Sequence, residues 1–212
     1  LSLTKKINLS IKKTGQASFA LSGGKTPLSL YEKLSSKDID WKKINLYLVD
    51  ERLVDLNSSK SNQFNILNAL SKKTSDFKEF RSFEYKRDAQ GKIKLDNKEK
   101  KYDFPLNFIL LGMGNDGHFG SIYPNLKNTK FLLDSNNKFY ISHTRTNEEI
   151  PDRFTMTYKT ISQSEMIIIY IKGRDKLSLI QKIVANDVSP NLYPVKTIFN
   201  EFENNLHLYW CE

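Results

Sequence analysis

Two short runs constrain the fold of this chain more than any other feature: "FILLG" (Phe108–Gly112) and "MIIIYI" (Met166–Ile171). Successive side chains of a strand point to opposite faces, so a run that is apolar at every position makes a strand buried on both sides. Such strands belong to parallel sheets with helices over both faces. Neither run approaches the roughly 20 apolar residues of a membrane-spanning helix, so no membrane segment is expected.

The remaining pattern alternates in the same sense. "ASFALSG" (Ala17–Gly23) and "INLYLVDE" (Ile44–Glu51) read as strands. "TPLSLYEKLS" (Thr26–Ser35) reads as a helix opened by Pro27, with Thr26 available as an N-cap. "SNQFNILNALS" (Ser61–Ser71) is a second helix with Phe64, Leu67 and Leu70 as its apolar positions. The charged stretch from Phe77 to Phe104 carries a weak helical or hairpin pattern around Gly91. "LNFILLG" (Leu106–Gly112), "KFYISHT" (Lys138–Thr144), "FTMTY" (Phe154–Tyr158) and "MIIIYIKG" (Met166–Gly173) are strands. "RDKLSLIQKIVAN" (Arg174–Asn186) places Leu177, Ile180, Ile183 and Val184 on one helical face. "LHLYWCE" (Leu206–Glu212) is a final strand. The expected fold class is α/β, a mainly parallel sheet flanked by helices, with residues 1–212 as one domain.

Composition narrows the function classes. One cysteine, Cys211, excludes an internal disulfide and a cysteine zinc cluster, and it fits a reducing compartment, most simply the cytoplasm. The start, "LSLTKKINLS", reads as half an amphipathic helix rather than a signal peptide, and the missing initiator Met suggests that the sequence begins inside a longer chain. Lys and Arg total 33 against 24 Asp and Glu, a formal charge of +9. The lysines are scattered in pairs without interleaved aromatics, so the excess does not mark a nucleic-acid surface. An acidic surface or a small anionic substrate is left as the partner such a charge suits.

In parallel sheets ligands sit beyond the carboxyl ends of the strands, and the unusual residues of this chain fall there. "SGGKTP" (Ser22–Pro27) is a glycine turn, a lysine and a helix start, a combination that suits an anion. It matches neither the P-loop nor the dinucleotide fingerprint. "VDER" puts Asp50 and Glu51 at a strand end beside Arg52, for acid–base work or for capping the next helix. Arg153 precedes a strand, and Arg174 and Lys176 stand at a helix start, where cations oppose the dipole unless an anion is bound. "GMGNDGH" (Gly112–His118) ends the central strand in a glycine-rich turn with one of the three histidines. His143 and His207 have no partners in sequence and read as structural.

Taken in order, "SGGKTP", "VDER", Ser61-Asn62, "LLGMGNDGHFGSIYP" (Leu110–Pro124), "IPDRFTMT" (Ile150–Thr157) and "IKGRDK" (Ile171–Lys176) resemble the 6-phosphogluconolactonases of the glucosamine-6-phosphate isomerase/deaminase superfamily, over nearly the whole chain. The pattern G-x-G-x-D-G-H-x-x-S-x-x-P carries most of the specificity. The chain departs from the family at Phe119-Gly120, where a small residue and Ala are usual, at Asn107, often Asp, and from Asp76 to Tyr102, which match poorly. The beginning of the first family strand is also missing.

The resemblance implies hydrolysis of 6-phospho-D-glucono-1,5-lactone to 6-phosphogluconate in the pentose phosphate pathway, without cofactor or metal. His118 would be the base that activates water and Asp116 would orient it. Gly23, Gly24, Lys25, Thr26, Arg153 and Lys176 would hold the phosphate, with Asp50, Arg52 and Asn62 along the sugar. The implied partner is a phosphosugar lactone, with no nucleic acid or membrane, in a monomer or small homo-oligomer. Two other readings stand beside it. The sister isomerases/deaminases carry a glutamate in "N-E-P" where this chain has Tyr123. A non-enzymatic phosphosugar-sensing domain need not keep Asp-Gly-His.

Overall fold

The computed structural model of the chain describes residues 2–70, 76–90, 93–95, 105–144, 152–202 and 204–212. In chain order its elements are α1 (Leu3–Thr14), β1 (Ala17–Leu21), α2 (Leu28–Ser35), a 3-10 turn (Trp41–Lys43), β2 (Ile44–Leu48), β3 (Asp50–Arg52), α3 (Asn62–Ala69) and β4 (Glu79–Arg81). β5 (Tyr85–Arg87), β6 (Ile93–Leu95), β7 (Phe108–Leu111), α4 (Thr129–Leu133), β8 (Ile141–Thr144), β9 (Arg153–Met156) and α5 (Tyr158–Ser162) follow. β10 (Ile167–Lys172), α6 (Arg174–Ala185), α7 (Lys196–Glu201) and β11 (Leu206–Cys211) complete the chain.

Six strands form a sheet in the order β11-β10-β7-β1-β2-β4, and every neighbouring pair in it is parallel. β1, β2 and β7 are buried at every position, as runs apolar on both faces require. Phe19 and Phe108, paired across β1 and β7, stack with centroids 4.7 Å apart at the centre of the core. Asn107, just before β7, accepts from Ser10 Oγ and from the Ser18 amide, both at 2.9 Å, and so ties α1 and β1 to that strand.

A second sheet, antiparallel in the order β3-β9-β8, continues from the first. The run Ile44–Glu51 is therefore not one strand. The chain leaves the parallel sheet at Val49, whose amide still donates to Leu21 O at 3.0 Å while its carbonyl accepts from Met156 N at 2.8 Å. Val49 joins the two sheets, and an apolar run read along the sequence cannot show that its hydrogen-bonding partners change midway.

β5 and β6 pair antiparallel, in keeping with the hairpin reading of the charged stretch. Gly91 itself, residues 96–104, Ser71, Ile150 and Pro151 lie outside the described residues. In α3 the buried positions include Ile66 and Ala69, with Leu70 just beyond the helix, while Phe64 and Leu67 are only half-buried. In α6, Ile180 and Ile183 are buried but Val184 is 54 % exposed. It follows Ile183 by about 100° around the helix, which turns it off the narrow covered stripe. Among the described residues no helix is long and apolar enough to cross a membrane.

Candidate active site

The strand order sets the location of the site. From β1 the chain proceeds outward through β2 and β4 on one side and through β7, β10 and β11 on the other, so the order reverses between β1 and β7. The loops leaving a parallel sheet diverge at such a reversal and open a crevice at the carboxyl ends. A cavity of about 320 Å³ lies there, lined by the turns after β1 and β7 and by β3 and β9.

The turn after β7 is closed by Gly114 N donating to His118 O at 2.9 Å and by Gly117 N donating to Gly114 O at 3.1 Å. Asp116 Oδ1 lies 2.6 Å from His118 Nδ1 and accepts from the His118 amide at 3.2 Å, so two residues of separation suffice for the pair. An ionised carboxylate only accepts, so Nδ1 carries a proton, and in the neutral imidazole Nε2 is then the nitrogen with the lone pair. Burial acts to raise the Asp116 carboxyl, but its hydrogen bond to the imidazole, the imidazole's charge and backbone donors outweigh it, leaving the group below the usual carboxylate range. With the folded value depressed, the pair's contribution to stability is present above the unfolded value and lost as pH falls through the folded one.

The glycines of this turn are needed for space. A Cβ on Gly114 would stand 2.1 Å from His118 Nδ1 and 2.5 Å from Asp116 Oδ1. Gly117, at φ +77°, faces Tyr193, and its carbonyl accepts from Val195 N at 3.0 Å, so the segment before α7 braces the turn from outside.

The triplet Asp50-Glu51-Arg52 divides by strand alternation. Asp50 and Arg52 line the cavity, and Glu51 points the other way. Buried Glu51 accepts from the amides of Arg52, Asn62 and Gln63, each at 2.7 Å, and from Ser61 Oγ at 3.0 Å. It caps α3 together with Ser61 and is not free for acid–base work. Asp50 is also buried and occupied: Oδ2 accepts from Ser121 Oγ at 2.7 Å and Oδ1 from Asn62 Nδ2 at 3.1 Å. Asn62 in turn sits against Gly23, where a Cβ would come within 2.1 Å of its Oδ1. Tyr31 Oη donates to Ser22 O at 2.7 Å and holds the same loop from α2.

The cations show the opposite pattern. β3 and β9 place Arg52 directly opposite Arg153, an arrangement that costs stability without an anion between them. Arg52 donates to Lys60 O at 2.6 Å. Arg153 has no ion-pair partner among the described residues, and its Nε is buried without a hydrogen bond. Its guanidinium lies 5.6 Å from the centre of the Tyr123 ring. Lys25, Thr26 and Lys176 line the same cavity. Thr26 is not the cap of α2: Pro27 occupies that position, without a side-chain cap bond, and Gly173 likewise leaves α6 uncapped. Both helix starts thus keep amides and positive dipole ends free for an anion.

The match to known proteins is consistent with this geometry. The family model described as glucosamine-6-phosphate isomerases/6-phosphogluconolactonase matches residues 1–210. The chain belongs to this family. A 6-phosphogluconolactonase of Neisseria meningitidis serogroup A is 28% identical over 204 residues, which cover 93% of this chain and 86% of the relative. A crystal structure of a 6-phosphogluconolactonase from Shewanella baltica superposes with a TM-score of 0.85 at 24% identity, covering 98% of this chain and 89% of the other. A monomeric glucosamine-6-phosphate deaminase shares the fold at a TM-score of 0.72 and 16% identity, covering 98% and 91%. The fold of the family therefore does not choose between the two chemistries, and the site must.

Of the site residues expected from the sequence of this family member, Gly23, Gly24, Lys25, Thr26, Asp50, Arg52, Asn62, His118, Arg153 and Lys176 all line the one cavity, with Asp116 behind His118. Arg174 is turned away and pairs with Glu212 at 2.9 Å in solvent. His143 pairs with Asp152 at 3.0 Å, and His207 is exposed on β11; neither lines the cavity. Phe119, a departure from the family pattern, is buried in the core and does not form the pocket wall. The wall there is Gly120, at φ +52°, where a Cβ would press on Thr155 Oγ1 at 3.1 Å and Val49 Cγ1 at 3.2 Å. Ser121 and Tyr170 are among the site residues that sequence reasoning did not single out, and Tyr123 was marked only by comparison with the sister enzymes. Tyr123 stands in the "N-E-P" position. Burial raises its phenol above the ordinary value against the lowering effect of Arg153.

Proposed function

We propose that this chain hydrolyses 6-phospho-D-glucono-1,5-lactone to 6-phosphogluconate, with residues 1–212 acting as one catalytic unit. The observation that carries the reading is the distribution of charge in the cavity. A histidine already oriented by a carboxylate and two arginines opposed across β3 and β9 line the same cavity. A δ-lactone is an activated ester, so a positioned base and a fixed substrate suffice for its hydrolysis.

The phosphate would lie between Arg153, Arg52 and Lys176, against the amides of Gly23 and Gly24 and the start of α2. Guanidinium grips phosphate by two parallel hydrogen bonds, and lysine adds a point charge. Held there, the lactone carbonyl comes beside His118, and binding of the remote phosphate supports the chemical step. His118 Nε2 takes a proton from water as the water oxygen bonds to C1. Asp116 stabilises the imidazolium. The tetrahedral intermediate then breaks the bond from C1 to the ring oxygen, and the imidazolium returns its proton to that oxygen. The resulting acid ionises. Asp50, held by Asn62 and Ser121, shapes the sugar pocket and is not a spare base. The net positive charge serves this anionic substrate rather than nucleic acid, and a cytosolic setting suits a chain with one thiol.

The test is acid release from freshly generated lactone, followed against its spontaneous decay. We expect a protein-dependent rate and no ammonia from glucosamine 6-phosphate. Ammonia release without faster lactone decay would assign the site to the deaminase chemistry instead.

Arg153→Ala tests the phosphate end. Affinity for 6-phosphogluconate falls by about 1.5–3 kcal/mol, the worth of charge-assisted hydrogen bonds. The melting temperature of the free protein does not fall, because the substitution also removes a like-charge opposition. Calorimetric titration and thermal melts on one preparation measure both. Unchanged affinity would move the phosphate elsewhere in the cavity.

A further inference from the structure

We infer that Tyr123 is a positioning residue for both ends of the substrate, its ring setting the separation between the imidazole of His118 and the guanidinium of Arg153. The inference rests on the lactonase reading of the site. The ring centroids of Tyr123 and His118 are 4.3 Å apart at 36°, and the Arg153 guanidinium stands 5.6 Å from the centre of the same ring. Each contact supplies a restraint that its partner lacks. His118 is tethered at Nδ1 by Asp116, which leaves the ring free to swing about that bond unless a face is blocked. Arg153 Nε has no hydrogen-bond partner, so the aromatic face takes the place of a hydrogen bond in aiming the guanidinium.

The platform beneath the ring is itself held. Tyr123 O accepts from Thr129 Oγ1 at 2.7 Å, Pro124 restricts the backbone before it, and the neighbouring Ser121 is bonded to Asp50. The Tyr123 hydroxyl has no partner among the described residues. The ring, not the hydroxyl, therefore makes both contacts. Tyr123 thus links the proton acceptor to the phosphate clamp, whose spacing has to match the length of the phosphorylated substrate for the carbonyl to reach His118.

The experiment compares wild type, Tyr123→Phe and Tyr123→Leu, each also in an Arg153→Ala background. kcat is measured with fresh lactone and affinity with 6-phosphogluconate. In Tyr123→Leu, kcat and affinity each fall by about tenfold or more, since aromatic stacking and cation–π contacts are both lost. Tyr123→Phe restores most of both. In the Arg153→Ala background the leucine no longer changes affinity, because the contact it disrupts is already absent. Tyr123→Met replaces the leucine if that variant does not fold. Wild-type kcat and affinity in the leucine variant, a phenylalanine variant as impaired as leucine, or additive losses in the double variant would each overturn the inference. A wild type that binds 6-phosphogluconate without accelerating lactone decay defeats the lactonase reading alone, and the affinity measurements still decide the role of Tyr123. A wild type that binds no 6-phosphogluconate defeats both.

Discussion

Replacing His118 by asparagine lowers the enzymatic rate by about two to four powers of ten, the usual contribution of a positioned general base. Asparagine is polar, of similar reach and suited to a turn, so the fold persists. The affinity for 6-phosphogluconate also persists, because in the proposed arrangement guanidinium groups, not the imidazole, hold the phosphate. Turnover and melting temperature measured on the same two samples separate this from a structural role. Loss of stability with wild-type turnover per folded molecule would remove His118 from the mechanism.

Gly114→Ala reaches the same end without altering any titratable group. The added Cβ would lie 2.1 Å from His118 Nδ1, 2.2 Å from Cε1 and 2.5 Å from Asp116 Oδ1, so one of these side chains has to shift. Gly114 is not among the glycines at positive φ, so an alanine backbone fits and the protein folds. The imidazole must leave its place beside Asp116, or Asp116 must turn away. Either displacement costs about a hundredfold or more in rate, because a general base acts only within hydrogen-bond reach of the proton it takes. Affinity for 6-phosphogluconate stays near that of the wild type. A Gly114→Ala protein with full turnover would show that the His118–Asp116 geometry is not the reactive one, even if His118→Asn were inactive for another reason.

Other site features follow from residues that nothing in their own neighbourhood marks. Ser121 is 71 positions from Asp50, and only the closed fold brings its hydroxyl to that carboxylate. Phe119 sits between His118 and Gly120, both on the cavity, yet its side chain is in the core. A tight turn can send adjacent side chains in opposite directions, and sequence adjacency does not say which.

The sequence by itself determined the class of sheet, because strands apolar on both faces are stable only between two layers of helices. It also placed the motifs after β1, β7 and β10 in loops that open on one edge of the sheet, whereas Arg52 and Arg153 reach that edge from the second sheet. Both properties are local: side-chain period and turn chemistry act over a few residues. What only the tertiary structure decided is how those residues face one another. Whether Val49 continues a strand or hands the chain to a second sheet, whether Arg52 opposes Arg153, and whether Glu51 caps α3 or enters the cavity all depend on register between segments far apart in the chain. That register is set by packing of the whole core, where a shift of one residue turns every side chain to the other face.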